Sequence, residues 1–237
     1  MKEVILEGHK IPYKVRESKK ARHARIEVGP EGVSVVLPIR AKLKPEDLLK
    51  EKSSWIIKKH KAISERMSKM PVRVIEEGGT LPYLGSEHTV KLTEGEQGFK
   101  NNELLIPRKK MEHKELEDIV EGMYREKARE LFLKIIEKHK HHVNNEHNRI
   151  YIRNQSTKWG SCSSKHNLNF NWRLIMAPER IVEYVVVHEL VHLDIQNHSK
   201  EFWSKLEGIL PDHRESKRWL KENGAFLVFG VQDKSKL

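Results

Sequence analysis

Residues 185–203 read VVVHELVHLDIQNHSKEFW. An apolar run leads directly into His188, Glu189, His192 and His198. A buried histidine or glutamate costs free energy unless something pairs with it. Positions four apart share one face of a helix, so a helical 185–192 presents His188 and His192 to a single point. Glu189 sits one residue on, about 100° around, beside that point. This is the H-E-x-x-H arrangement: two zinc-ligating imidazoles and a general base. Catalytic zinc takes a third protein ligand and leaves a fourth position for water. His198 fills that role only if the chain turns between Leu193 and Asn197, where Asp194 and Asn197 are good turn formers. Histidine is common here, 14 of 237 residues, so an H-[DE]-x-x-H match arises by chance about 0.12 times in such a chain. Requiring a third histidine at one fixed offset lowers that below about 1%.

Outward from this stretch, Pro178 starts the helix that carries H-E-L-V-H. A further helix begins near Ser199, and Pro211 separates it from a last one ending at Gly224. Upstream, RIYIR (149–153) and NLNFNWRLI (167–175) have strand character and flank WGSCSSK. Before them, apolar residues from Leu116 to Ile136 recur at three- and four-residue steps, predicting an amphipathic helix over about 111–142. The first third reads as short strands. One hairpin turns at Gly8 and another at GPEG (29–32), and a helix opened by Pro45 runs to Pro71. Residues 72–106 return to strands around Gly78, Gly79 and Gly85. No internal repeat is evident.

Composition bounds the rest. The 237 residues carry a formal net charge of +11, which favours anionic partners such as nucleic acids or nucleotides. A single cysteine, Cys162, excludes an intrachain disulfide and suits a reducing compartment. No segment approaches the ~20 apolar residues of a membrane span, and the charged start has no signal-like apolar stretch. The expectation is a cytoplasmic protein.

The segment HELVHLDIQNHSKEFW resembles the H-E-x-x-H-x5-H-x3-F/W signature of the YgjP-like predicted metal-dependent hydrolases, minimal zincins related in core to the SprT and WLM proteases. KWGSCSSKHNLNFNWRLIMAP, PDHRESKRWLKENG, KSSWIIKKH and GTLPYLGSEHTVKL match the same family in order, so the likeness runs from about residue 20 to 224. The resemblance implies one Zn2+ per chain on His188, His192 and His198, with Glu189 as base. The linker LDIQN has no glycine, unlike that of metzincins.

These readings give an α+β fold. Residues 109–230 form a zincin-like (minigluzincin) hydrolase domain with a small sheet and the H-E-x-x-H helix. Residues 1–108 form a β-rich module with one helix. The leading function is a zinc-dependent hydrolase of metallopeptidase type acting on a peptide or protein. One alternative is a nucleoside triphosphate (UTP) pyrophosphohydrolase, an activity assigned within the family. Another is a nucleic-acid-associated protease or binding protein, docking through the basic surface.

Other residues carry two readings. WGSC is a structural turn with a core tryptophan, or the lead into an edge strand above the metal helix. Cys162 is inert packing, or an inhibitory fourth ligand. Tyr184 packs in the core, or lines the pocket. Asp194 is a turn residue, or holds a ligand histidine's second nitrogen. His139, His141, His142 and His147 read as an exposed helix end rather than a second metal site. Phe202 and Trp203 pin the helix after His198 to the core. Lys58, Lys59 and Lys61, like Arg214, Lys217, Arg218 and Lys221, form basic faces that are either solvated or substrate-guiding.

Overall fold

Tight turns with left-handed backbone organise the N-terminal strands. Glu7 and Gly8 take φ of 46° and 81°, the twist-matched geometry of a two-residue hairpin, and join β1 (Lys2–Leu6) to β2 (His9–Ser18). A second antiparallel pair, β3 (Arg25–Gly29) and β4 (Gly32–Pro38), attaches through a parallel β2–β4 ladder, giving the order β1-β2-β4-β3. The computed structural model describes residues 2–227 apart from 20, 30–31, 42, 69–72, 74 and 156–157. The GPEG turn and Pro71 therefore lie partly or wholly outside the described residues.

The helix expected from Pro45 is two: α1 (Pro45–Glu51) and α2 (Ser53–Ser68). The break at Lys52 coincides with Ser53 and Ser54, whose hydroxyls donate to one Glu7 oxygen at 2.7 and 2.6 Å. Leu49 and Ile56 pack on the inward side chains of the sheet, among them Leu6, Tyr13, Val33 and Val35. Burying each such side chain contributes about 1.5–3 kcal/mol.

The strand order recurs further along. β5 (Thr80–Tyr83), β6 (Ser86–Thr93), β7 (Gly98–Lys100) and β8 (Glu103–Pro107) form a sheet ordered β5-β6-β8-β7, again with outer antiparallel pairs and a parallel central pair. This is the topology of β1–β4, a repeat the sequence does not display. Its first hairpin turns on Leu84 and Gly85, at φ 49° and 84°. Leucine is a costly residue for that backbone. Here the Leu84 N–H donates to the Ile175 carbonyl at 2.8 Å and the side chain packs on the core. A Cβ on Gly85 would stand 2.9 Å from Pro178 Cγ, so this turn closes tightly on the start of the helix that begins at Glu179.

The long helix, α3, spans Leu116–His139, shorter than the expected 111–142 because both flanks are 3-10 turns, at Arg108–Glu112 and Lys140–His142. A third sheet has the order β10-β11-β9, from β9 (Ile150–Arg153), β10 (Gly160–Cys162) and β11 (Leu168–Asn171). The expected 167–175 strand stops at Asn171, whose side chain accepts from the Arg173 N–H and caps a 3-10 turn over Trp172–Met176. Then come α4 (Glu179–Val191), α5 (Lys200–Ile209) and α6 (His213–Asn223), near the expected breaks at Pro178, Ser199 and Pro211.

The chain divides into compact units within Met1–Pro71 and Val72–Val231. The boundary expected near 108, where strands give way to helices, falls inside the second. Leu81, Val90, Leu104 and Ile106 of the β5–β8 sheet share one core with Ile119, Val120, Tyr124 and Phe132 of α3 and with α4. The sequence pattern marks the change from strands to helices; the core spans that change.

Candidate metal centre

The last turn of α4 places His188 inside the helix and His192 at its C-cap, with φ −67° and ψ −13°. The chain then folds back. Leu193, Asp194 and Ile195 donate to the Leu190 and Val191 carbonyls at 2.9–3.1 Å. This turn returns His198 to the helix just before Ser199, whose hydroxyl accepts from the Phe202 N–H and caps α5.

The result is a close triad. His198 Nε2 lies 3.1 Å from His188 Nε2 and 3.2 Å from His192 Nε2. His192 Nδ1 is 2.9 Å from the Ile195 carbonyl; a carbonyl only accepts, so Nδ1 bears the proton and Nε2 faces its neighbours with a lone pair. Such lone pairs converge stably on a cation. Two nitrogens at ~2.05 Å from a tetrahedral zinc stand about 3.3 Å apart, close to the spacing here. Among the described residues this is the group of three able to hold a metal ion, and it includes no cysteine.

Phe202 is fully buried and floors the triad, its ring centre 4.8, 4.5 and 4.9 Å from those of His188, His192 and His198. Trp203 stacks on His198 at 5.6 Å. Burial lowers the His188 imidazole to about 3, helped by its histidine neighbours and Lys217, so it is neutral and ready to coordinate. Its Nδ1 is buried with no hydrogen-bond partner among the described residues.

Glu189 is 6% exposed. Burial pushes its carboxyl up to about 7, against the Cys162 backbone N–H, which donates to it, and the nearby Lys158 charge. It lies under the β10 edge strand, where a Cβ on Gly160 would stand 2.7 Å from Glu189 Cγ and 2.8 Å from Oε1.

A family model described as YgjP-like, metallopeptidase domain, matches residues 22–223. The chain belongs to that family. Solved structures similar to this YgjP-like metallopeptidase chain include two metallopeptidase zymogens. Jannalysin of Methanocaldococcus jannaschii is 22% identical over 40% of this chain and 95% of its own, with a TM-score of 0.34. Abylysin of Pyrococcus abyssi is 19% identical over 40% and 93%, with a TM-score of 0.33. The search among curated proteins found no match.

Within this YgjP-like domain the remaining candidates take defined places. The second nitrogen of His192 is held by the Ile195 carbonyl, not by Asp194. The Asp194 carboxylate instead accepts from the backbone N–H groups of Asn144 and Asn145 and from the Asn145 side chain, at 2.9–3.1 Å, and pairs with Lys205. It thereby locks the post-helix turn to the 144–145 loop and to α5. Trp159 is half-buried and packs on Gly224, while its carbonyl accepts from Asn171 N. Tyr184 joins the core, 5.9 Å from His188 between ring centres, and burial raises its phenol to about 12. Burial also raises the Cys162 thiol.

His139 is buried, with Nε2 2.8 Å from Glu183 Oε1. Of the expected exposed histidines, His141 and His142 are exposed and His147 is half-buried. Gly160 lies where the edge-strand reading of W-G-S-C puts it. Sequence reasoning missed two neighbours of the site: Lys158 and the buried His213, which stacks on Trp203 at 5.7 Å.

Proposed function

We propose that this chain is a zinc-dependent peptidase with a zincin-like order of edge strand and metal helix. His188, His192 and His198 hold the metal and Glu189 is the general base. One observation carries the reading: His198 Nε2 lies 3.1 Å from His188 Nε2 and 3.2 Å from His192 Nε2, beside the buried Glu189 carboxylate and under a sheet edge. Membership of a metallopeptidase family supports it.

A bound zinc ion would bring a coordinated water to a pKa near ~7 and polarise the scissile carbonyl. The chain's own residues do the rest. Ile195 fixes the His192 tautomer through Nδ1. β10 is an edge of its sheet, so its outer N–H and C=O groups can pair with an extended substrate and align it over Glu189. Glu189 takes a proton from the attacking water at a carboxylate oxygen and later delivers it to the leaving nitrogen. The Cys162 backbone N–H favours the charged form of that carboxylate.

The test is metal analysis of the purified protein, then peptide-library turnover with and without chelator. Glu189→Gln should retain its metal and lose at least ~100-fold in turnover; cleavage by that variant at the wild-type rate overturns the assignment. His198→Ala should lower metal content, and unchanged content removes His198 from the ligand set. A second reading, nucleoside triphosphate hydrolysis, is favoured by Lys158 and Lys217, exposed lysines whose charges act on Glu189 and His188. Phosphate or pyrophosphate release from a nucleotide panel, abolished in Glu189→Gln, would select it over the peptidase.

A further inference from the structure

The positive charge is concentrated at one end of the sequence. Residues 1–71 hold 18 Lys and Arg against 9 Asp and Glu, a net +9, while residues 72–237 hold 27 against 25, a net +2. The first compact unit, within Met1–Pro71, thus carries nearly all of the chain's +11 on less than a third of its length. It contributes none of the triad.

Helix α2 shows where that charge is usable. Ile56 points into the core at 0% exposure, while on the outer side Trp55 keeps 45% of its surface open. Trp55, Lys58, Lys59 and Ala62 occupy positions i, i+3, i+4 and i+7, one face of the helix, and all four are exposed. Lys59 Nζ lies 5.1 Å from the Trp55 ring centre. Ion pairs occupy Lys10, Arg16, Arg25 and Lys52, but no carboxylate pairs with Lys58 or Lys59 among the described residues. An exposed indole costs hydration, and adjacent unpaired lysines repel one another. Both are satisfied by a ligand that is flat and aromatic on one part and anionic on another.

We propose that the Trp55–Lys58–Lys59 face of α2 binds single-stranded nucleic acid, a base stacking on the Trp55 indole and backbone phosphates lying against Lys58 and Lys59. Every base offers a π-face and every linkage a charge, so the site reads no sequence. A duplex keeps its bases stacked internally and offers nothing to Trp55. An anionic membrane surface is the weaker match, because among the described residues of α2 Trp55 is the one large apolar side chain left exposed, where an interfacial helix needs a broad apolar stripe. The site is independent of the metal centre.

The 237-residue chain is titrated into fluorescein-labelled 20-mers of oligo(dT) and oligo(rU), a mixed-sequence duplex of equal length, and phosphatidylserine vesicles, across a salt series. The proposal expects single strands to bind more tightly than duplex or vesicles, with log K falling linearly in log salt. Lys58→Ala with Lys59→Ala should reduce the magnitude of that slope by about 1.4, roughly 0.7 per lost phosphate contact. Trp55→Ala should weaken binding about fivefold or more, and Trp55→Phe should retain most of it. Metal content and hydrolytic turnover should be unchanged in all of these variants. Either strand bound in this Trp55-dependent way upholds the site, and the dT-to-rU ratio separates DNA from RNA. No single-strand binding at low salt, an unchanged Trp55→Ala affinity, or preference for duplex or vesicles overturns it.

Discussion

Gly160 lies against the Glu189 carboxylate so closely that a single added carbon would stand 2.7 Å from Glu189 Cγ, 2.8 Å from Oε1 and 3.0 Å from Cδ. Real Cβ atoms do not approach other heavy atoms at such distances, and both elements here are held: Gly160 by β11, Glu189 by α4. The glycine lets an edge strand run directly over the Glu189 carboxylate. Gly160→Ala should therefore displace the carboxylate while leaving the three histidines in place. The expected result is a loss of turnover of about 100-fold, as for a misplacement near 1 Å, with metal content unchanged. A Gly160→Ala protein with wild-type kcat would show that Glu189 does not act from this position.

Asp194 sits where the chain must reverse to bring His198 back, and its carboxylate collects three N–H donors and the Lys205 ammonium. Removing it leaves the N–H groups of Asn144 and Asn145 without their acceptor and frees the turn. Asp194→Ala should cost about 2–3 kcal/mol of stability. It should also weaken metal binding, because His198 is no longer pre-positioned; denaturant melts and a competitive zinc-chelator titration read the two effects. A variant destabilised but binding metal as tightly as wild type would confine Asp194 to a packing role.

Glu183 links α4 to α3 through Lys138 and the buried His139, at 2.7 and 2.8 Å. Burial pushes its carboxyl up, but the Lys138 and His139 hydrogen bonds outweigh this and hold it below the ordinary value of 4.5. A carboxyl depressed in the folded state stabilises it above the unfolded pKa, and that contribution fades as pH falls through the folded one. Glu183→Gln should cost roughly 1–2 kcal/mol at pH 7, and the difference from wild type should shrink below about pH 4.5. Melting both proteins in metal-free form at pH 7, 5 and 3.5 measures it. A gap constant across that range would mean the carboxylate charge contributes nothing.

The separate roles of these residues mark what was readable in advance. Helical periodicity places His188 and His192 on one face from spacing alone, because four residues nearly complete a turn whatever the surroundings. Ser199 as a helix cap, the breaks at Pro178 and Pro211 and the Gly8 hairpin follow from equally local rules. Periodicity could not supply the acceptor for His192 Nδ1, because the Ile195 carbonyl faces it only once the turn has closed. Asp194 was read as either a turn residue or a histidine partner; its N–H donors from Asn144 and Asn145 lie 50 and 49 positions away, beyond any local rule.

The amino-acid order by itself determined the chemistry: which side chains meet at the end of α4, and that a turn must follow His192. Tertiary structure alone decided that Gly160 covers Glu189, that Phe202 floors the triad and that the β5–β8 sheet shares a core with α3. Tertiary structure also set the same strand order in two sheets. The physical reason is range. Helix geometry and turn stereochemistry act within a few residues, whereas strand order and close packing depend on segments far apart in the chain coming together to bury one apolar surface.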